Sequence, residues 1–117
     1  MKYLKTFESI EKSEFESEIE DLFYDFAVEI GIDKLVIRHK NITSPGFKKD
    51  EQLSVKFLFR EEDPRDPPEV FESIKSKLQS INEIIKDVWG FQSAGALSSV
   101  TLLTPGYRRV LTIIYYK

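Results

Sequence analysis

The residues that could do chemistry in this 117-residue chain are few and scattered. The one histidine, His39, stands between Arg38 and Lys40, with neither a nucleophile nor a carboxylate at a spacing that would make it a general base. Glu61, Glu62, Asp63 and Asp66 offer hard oxygen ligands, but they lack the alternating spacing and internal glycine of a calcium loop. The five glycines fall singly, so no phosphate-cradling loop is present. With no cysteine there is no disulfide framework, zinc-thiolate site or thiol nucleophile. These residues predict a non-enzymatic protein that needs no cofactor and no metal.

Binding chemistry is better represented. Arg38, Lys40, Lys56, Arg60 and Arg108 fall on or beside predicted strands, where they would give a sheet face that attracts single-stranded nucleic acid. Val55-Lys56-Phe57-Leu58-Phe59 has the alternating aromatics of an RNA-reading strand without its glycines, and its phenylalanines are expected in the core. A second set is apolar: Leu58, Val110, Ile114 and Tyr116 would lie on the uncovered side of the sheet as a protein-interaction patch. The third candidate is electrostatic. The net charge of −3 conceals three lysines against ten carboxylates in residues 1–33, so the remainder is net basic. Glu16, Glu20 and Asp21 on the first helix would then mimic nucleic acid toward a basic host protein.

The elements that must position these groups follow from periodicity. Residues 1–12 read as a leader, and 13–117 as one α+β domain. Ser13-Glu14-Phe15-Glu16 is a capping box. Phe15, Ile19, Leu22, Phe23, Phe26 and Ile30 then form a helical stripe that Gly31 stops. Leu35-Lys40 reads as a strand, Asn41-Glu51 as a loop turning at Ser44-Pro45-Gly46, and 52–60 as a strand with one buried face. Asp66-Pro67 starts a second helix with Val70, Ile74, Leu78, Ile81 and Ile85 in its stripe, ended by Gly90. Phe91-Ala96 reads as a connector. Leu97-Thr104 and Tyr107-Tyr116 read as a hairpin closed by a type II turn at Pro105-Gly106.

The order helix–strand–strand, twice over, predicts a two-layer sandwich: a four-stranded antiparallel sheet with two helices on one face. Moving the first strand of a ferredoxin-like fold to its end gives this order and puts 52–60 and 107–116 in the centre. The last strand, Val110-Tyr116, is apolar on both faces, which implies self-association, a C2 dimer being the commonest form, or burial by another protein. No run is long and apolar enough to span a bilayer, so a membrane is not among the expected partners and the cytoplasm is the expected compartment.

Met1-Lys2-Tyr3-Leu4-Lys5-Thr6-Phe7-Glu8-Ser9 resembles the opening of many small uncharacterised proteins of tailed bacteriophages. It is similar too to the capsid-targeting leaders of their internal head proteins, with a Met-Lys start and a nearby aromatic–Glu step. The resemblance covers about nine residues. It implies a phage accessory or virion-associated protein without enzymatic activity, found in the host cytoplasm or the virion.

Overall fold

The structure, a computed structural model, describes residues 14–42 and 50–117. The leader, Ser13 of the capping box and the Ser44-Pro45-Gly46 turn lie outside the described residues. Six elements follow in chain order: α1 (Glu14–Glu29), β1 (Lys34–Ile42), β2 (Asp50–Arg60), α2 (Pro67–Trp89), β3 (Gln92–Val100) and β4 (Tyr107–Tyr116). The four strands form one antiparallel sheet in the order β1-β2-β4-β3. The two most apolar strands are therefore central, as their composition predicts, because a central strand is buried on more sides than an edge.

Each helix ends where its chemistry says it should. At the end of α1 the Ile32 N–H donates to Ala27 O at 2.8 Å and the Gly31 N–H to Val28 O at 3.1 Å. This is a Schellman motif, and it needs the positive φ of 78° that Gly31 supplies. Ile32, the residue after it, is buried over Ala27's side of the core. At the start of α2, Asp66 occupies the N-cap with Pro67 behind it, but its side chain makes no capping bond. The preset φ of proline does the positioning there. Gly90 closes α2 with a φ of 80°.

The helical stripes and one face of the sheet form a single core. Ile19, Phe23 and Phe26 of α1 and Val70, Ile74, Leu78 and Ile85 of α2 meet Val55, Phe57, Phe59, Leu111, Ile113 and Tyr115. Strand pairing arranges the sheet side as rungs, Leu35-Phe57-Leu111-Ser98 and Ile37-Val55-Ile113-Ala96 among them. α1 packs over β1, and α2 over β3 and β4. Between them, the small Ala96 and Ser98 leave a cavity of about 220 Å³ beside Pro68 and Phe71 of α2. Tyr115 is buried end to end, and its hydroxyl donates to Asn82 Oδ1 at 2.5 Å. Burial pushes this phenol above its ordinary range.

The last hairpin departs from expectation. β3 begins at Gln92, inside the predicted connector, and stops at Val100. Residues 101–106 form the turn, and Pro105-Gly106 is its second half. Gly106 takes a φ of 84°, with the Tyr107 N–H donating to Thr104 O at 3.2 Å. A two-residue loop would set Thr104 opposite Tyr107, whereas Val100 in fact pairs with Arg109. The strand slides toward the helix because Gln92-Ala96, weak in strand propensity, is recruited by pairing with Ile113-Tyr116. A bulge between Ser93 and Gly95 absorbs the irregularity.

Candidate functional site

Alternation along the strands leaves the second face of the sheet without a helix among the described residues. Its rungs are Lys34-Leu58-Val110-Ser99, Val36-Lys56-Thr112-Leu97, Arg38-Ser54-Ile114-Gly95 and Lys40-Gln52-Tyr116-Gln92. All four residues of the expected apolar patch are on this face. They are not one exposed patch, however. Leu58 and Val110 are opposite each other and only 5% and 6% exposed, yet they stand apart from the core cluster. They are buried in the open-face layer. Ile114 is half-buried, and Tyr116 is exposed at the far end.

The exposed apolar surface lies one strand further out. Leu97 and Val100 on β3 are open to solvent, and Leu102 and Leu103 in the β3–β4 turn are 91% and 93% exposed. Leu58 and Val110 line a cavity of about 410 Å³ with Arg38 and Lys56 from one side and Leu102 and Leu103 from the other. Nothing in the alternation of 97–104 separates the turn from a continuing strand, which is why these leucines escaped the sequence reading.

Of the five expected cations, Arg38, Lys40 and Lys56 project from this face by alternation, and Lys34 joins them. Among the described open-face strand positions the one acid is Asp50, opposite Ile42 at the end of the sheet away from the β3–β4 turn. Arg38, Lys40 and Lys56 have no carboxylate within ion-pair distance among the described residues. Arg108 is exposed at an irregularity, where β4 has one residue more than β2 between the Phe59–Arg109 and Arg60–Tyr107 pairs.

Arg60 is diverted. Its Nε donates to Asp33 Oδ2 at 2.8 Å, a second nitrogen donates to the same oxygen, and its guanidinium lies 5.5 Å from the centre of the Tyr107 ring. The Tyr107 hydroxyl donates to Asp33 Oδ1 at 3.0 Å. Arg60 beside it holds the Asp33 carboxyl below the usual carboxylate range. This cluster ties the start of β1 to the end of β2 and the start of β4, and it removes Arg60 from the cationic face.

The remaining polar candidates are structural ties. His39 faces the core side, with Phe15 and Phe91 at centroid distances of 4.7 and 5.8 Å and Nε2 3.3 Å from Glu51 Oε2. The His39 backbone N–H donates to Glu16 Oε2 at 2.8 Å, so one residue of the acidic triad on α1 is engaged within the fold. Asp63 accepts from Arg65 through both carboxylate oxygens, at 3.0 Å from Nε and 2.7 Å from Nη2. That pairing holds the Asp63 carboxyl below its ordinary range. Among the described residues no group of three His, Asp or Glu is placed to hold a metal.

The phenylalanines of β2 all point into the core, so Tyr116 is the one aromatic among the open-face rungs. The face is thus cationic and aliphatic, suited to an anionic or apolar partner and poor in surfaces on which bases stack. No family model matches the chain, and no curated protein or solved structure shows significant similarity to it.

Proposed function

We propose that this protein is a non-enzymatic interaction module that self-associates through its sheet, and that the contact runs along β3. The observation that carries the reading is the composition of that edge. Gln92-Ser-Ala-Gly-Ala-Leu-Ser-Ser-Val100 is an outer strand of nine residues with no charge and no proline, exposed at every position but Ala96. Edge strands present unpaired N–H and C=O groups, and proteins ordinarily guard them with lysines, prolines or inward charges. The opposite edge, β1, is guarded in this way by Lys34, Arg38 and Lys40. β3 has only its bulge at Ser93-Gly95.

A second copy is the partner such an edge fits. In an antiparallel pair about a twofold axis, each residue meets the one equally far on the other side of the axis, so a strand whose charges share one sign opposes like to like. Two β1 edges would oppose cation to cation, whereas two β3 edges oppose only small, neutral and aliphatic side chains. Joined at β3 about an axis at Leu97, the two sheets form one of eight strands, with Leu97 beside its symmetry mate.

Light scattering on the eluting protein tests this. A dimer is expected at high micromolar concentration, and Leu97→Lys, which sets like charges across the axis, is expected to give a monomer with an unchanged far-ultraviolet spectrum. Wild-type protein that stays monomeric, or a variant that stays dimeric, overturns the assignment. Single-stranded nucleic acid binding draws support from Arg38, Lys40 and Lys56 alone.

A further inference from the structure

We infer that the open sheet face, with the Leu102-Leu103 turn beside it, is a docking surface for an anionic lipid bilayer. The face is predominantly basic. Lys34, Arg38, Lys40 and Lys56 stand on it against one acid among its described strand positions, Asp50, at the end away from the Leu102-Leu103 turn. This sits in a protein whose net charge is −3 and whose acidic helix α1 lies in the other layer. The resulting charge asymmetry turns the sheet toward a negative surface.

The second signal is apolar. Leu102 and Leu103 are the two most exposed large hydrophobic residues of the described chain, and they are neighbours within the β3–β4 turn. They line the same cavity as Arg38 and Lys56, so leucines and cations project on one side of the molecule. Reversible attachment to a bilayer takes two such signals together, an inserting apolar group and a basic patch for anionic headgroups. Surface docking requires no spanning segment, and no described helix is long and apolar enough to be one.

The distribution of the cations selects a bilayer over other anions. Lys34 to Lys40 spans six residues of strand, about 20 Å, with Lys56 on the neighbouring strand. Lipid headgroups diffuse to meet charges so spread, without the fixed register that an acidic protein must match. A nucleic acid meets the charges but offers the leucines nothing, and it finds Tyr116 alone among the open-face rungs for stacking. The docking surface does not depend on β3 pairing. If that pairing occurs, the twofold axis is perpendicular to the sheet, and both copies present their cations and leucines to the same side.

Vesicle sedimentation with the full chain tests the inference, with phosphatidylcholine vesicles containing about 30% phosphatidylserine as the probe and pure phosphatidylcholine as the control. Binding to the anionic vesicles at low salt, released at about 1 M salt, is expected. Leu102→Ser with Leu103→Ser is expected to lower the partition at least about tenfold, and Lys56→Ala about fivefold. These side chains are outside the core cluster, and a matching thermal melt shows that each variant is folded. No binding at low salt overturns the proposal. Binding that ignores the leucine substitutions shows mere electrostatic adsorption and overturns it too, as does a preference for a labelled single-stranded oligonucleotide over the vesicles.

Discussion

Replacing Arg65 by alanine tests how the two halves of the chain are held together. Arg65 lies in the loop before α2, and its guanidinium donates to Ile30 O, the carbonyl left open at the end of α1. It also grips both oxygens of Asp63 and lies 5.6 Å from the centre of the Phe59 ring. The cation at a helix C-terminus and its hydrogen bond contribute about 1 kcal/mol. With its side chain 39% exposed, the Asp63 pair is screened and contributes about 1 kcal/mol at most. The contact with Phe59 adds about 0.5 kcal/mol. Arg65→Ala should therefore cost about 2 to 3 kcal/mol, seen as a lower midpoint in urea followed by circular dichroism, with the slope unchanged. Arg65→Lys should recover less than half of that loss, since an ammonium cannot hold Asp63 in a fork and reach Ile30 at once. A cost below about 0.5 kcal/mol for the alanine variant would refute the view that this side chain bridges the halves.

Four further outcomes follow from the same geometry. Asp63→Asn should flatten the acid limb of stability. Because the folded carboxyl titrates below its unfolded value near 3.9, its contribution is present above that pH and lost as pH falls through the folded value, and urea midpoints measured from pH 6 to pH 2 check the sign. Tyr115→Phe should cost about 1 kcal/mol by removing the bond to Asn82 from a buried site, and restoration of part of that loss by Asn82→Leu in a double-mutant cycle would identify the bond as its source. Gly31→Ala should cost about 1 kcal/mol in thermal unfolding, because φ is 78° and the added carbon meets Arg65 at 3.4 Å. Phe57→Ala, at the centre of the core rungs, should cost about 3 to 5 kcal/mol, measured as reduced soluble yield and a lower melting temperature.

Periodicity alone was enough to place α1, α2, β1, β2 and β4, along with the glycine stops at Gly31 and Gly90. Each of these is written locally. A helix face repeats its apolar residues every three or four positions, a half-buried strand every two, and a positive φ demands glycine wherever it occurs. The same logic placed 52–60 and 107–116 in the centre of the sheet, because only central strands can bury so much apolar surface.

What tertiary structure decided is where the surfaces are. Arg60 alternates with Lys56 in sequence as if the two were equivalent, yet folding brings Asp33 and Tyr107 to one of them and leaves the other on the open face. Leu58 and Val110 look as exposed as Leu102 and Leu103 until cross-strand pairing buries the first two and the end of the ladder frees the others. β3 is the clearest case. Nothing in Gln-Ser-Ala-Gly-Ala prefers a strand, and the residues become one because β4 has a row of backbone donors and acceptors to satisfy. Local pattern determines which elements form; pairing partners far apart in the chain determine register, edge and exposure, and in this protein those are the properties on which binding rests.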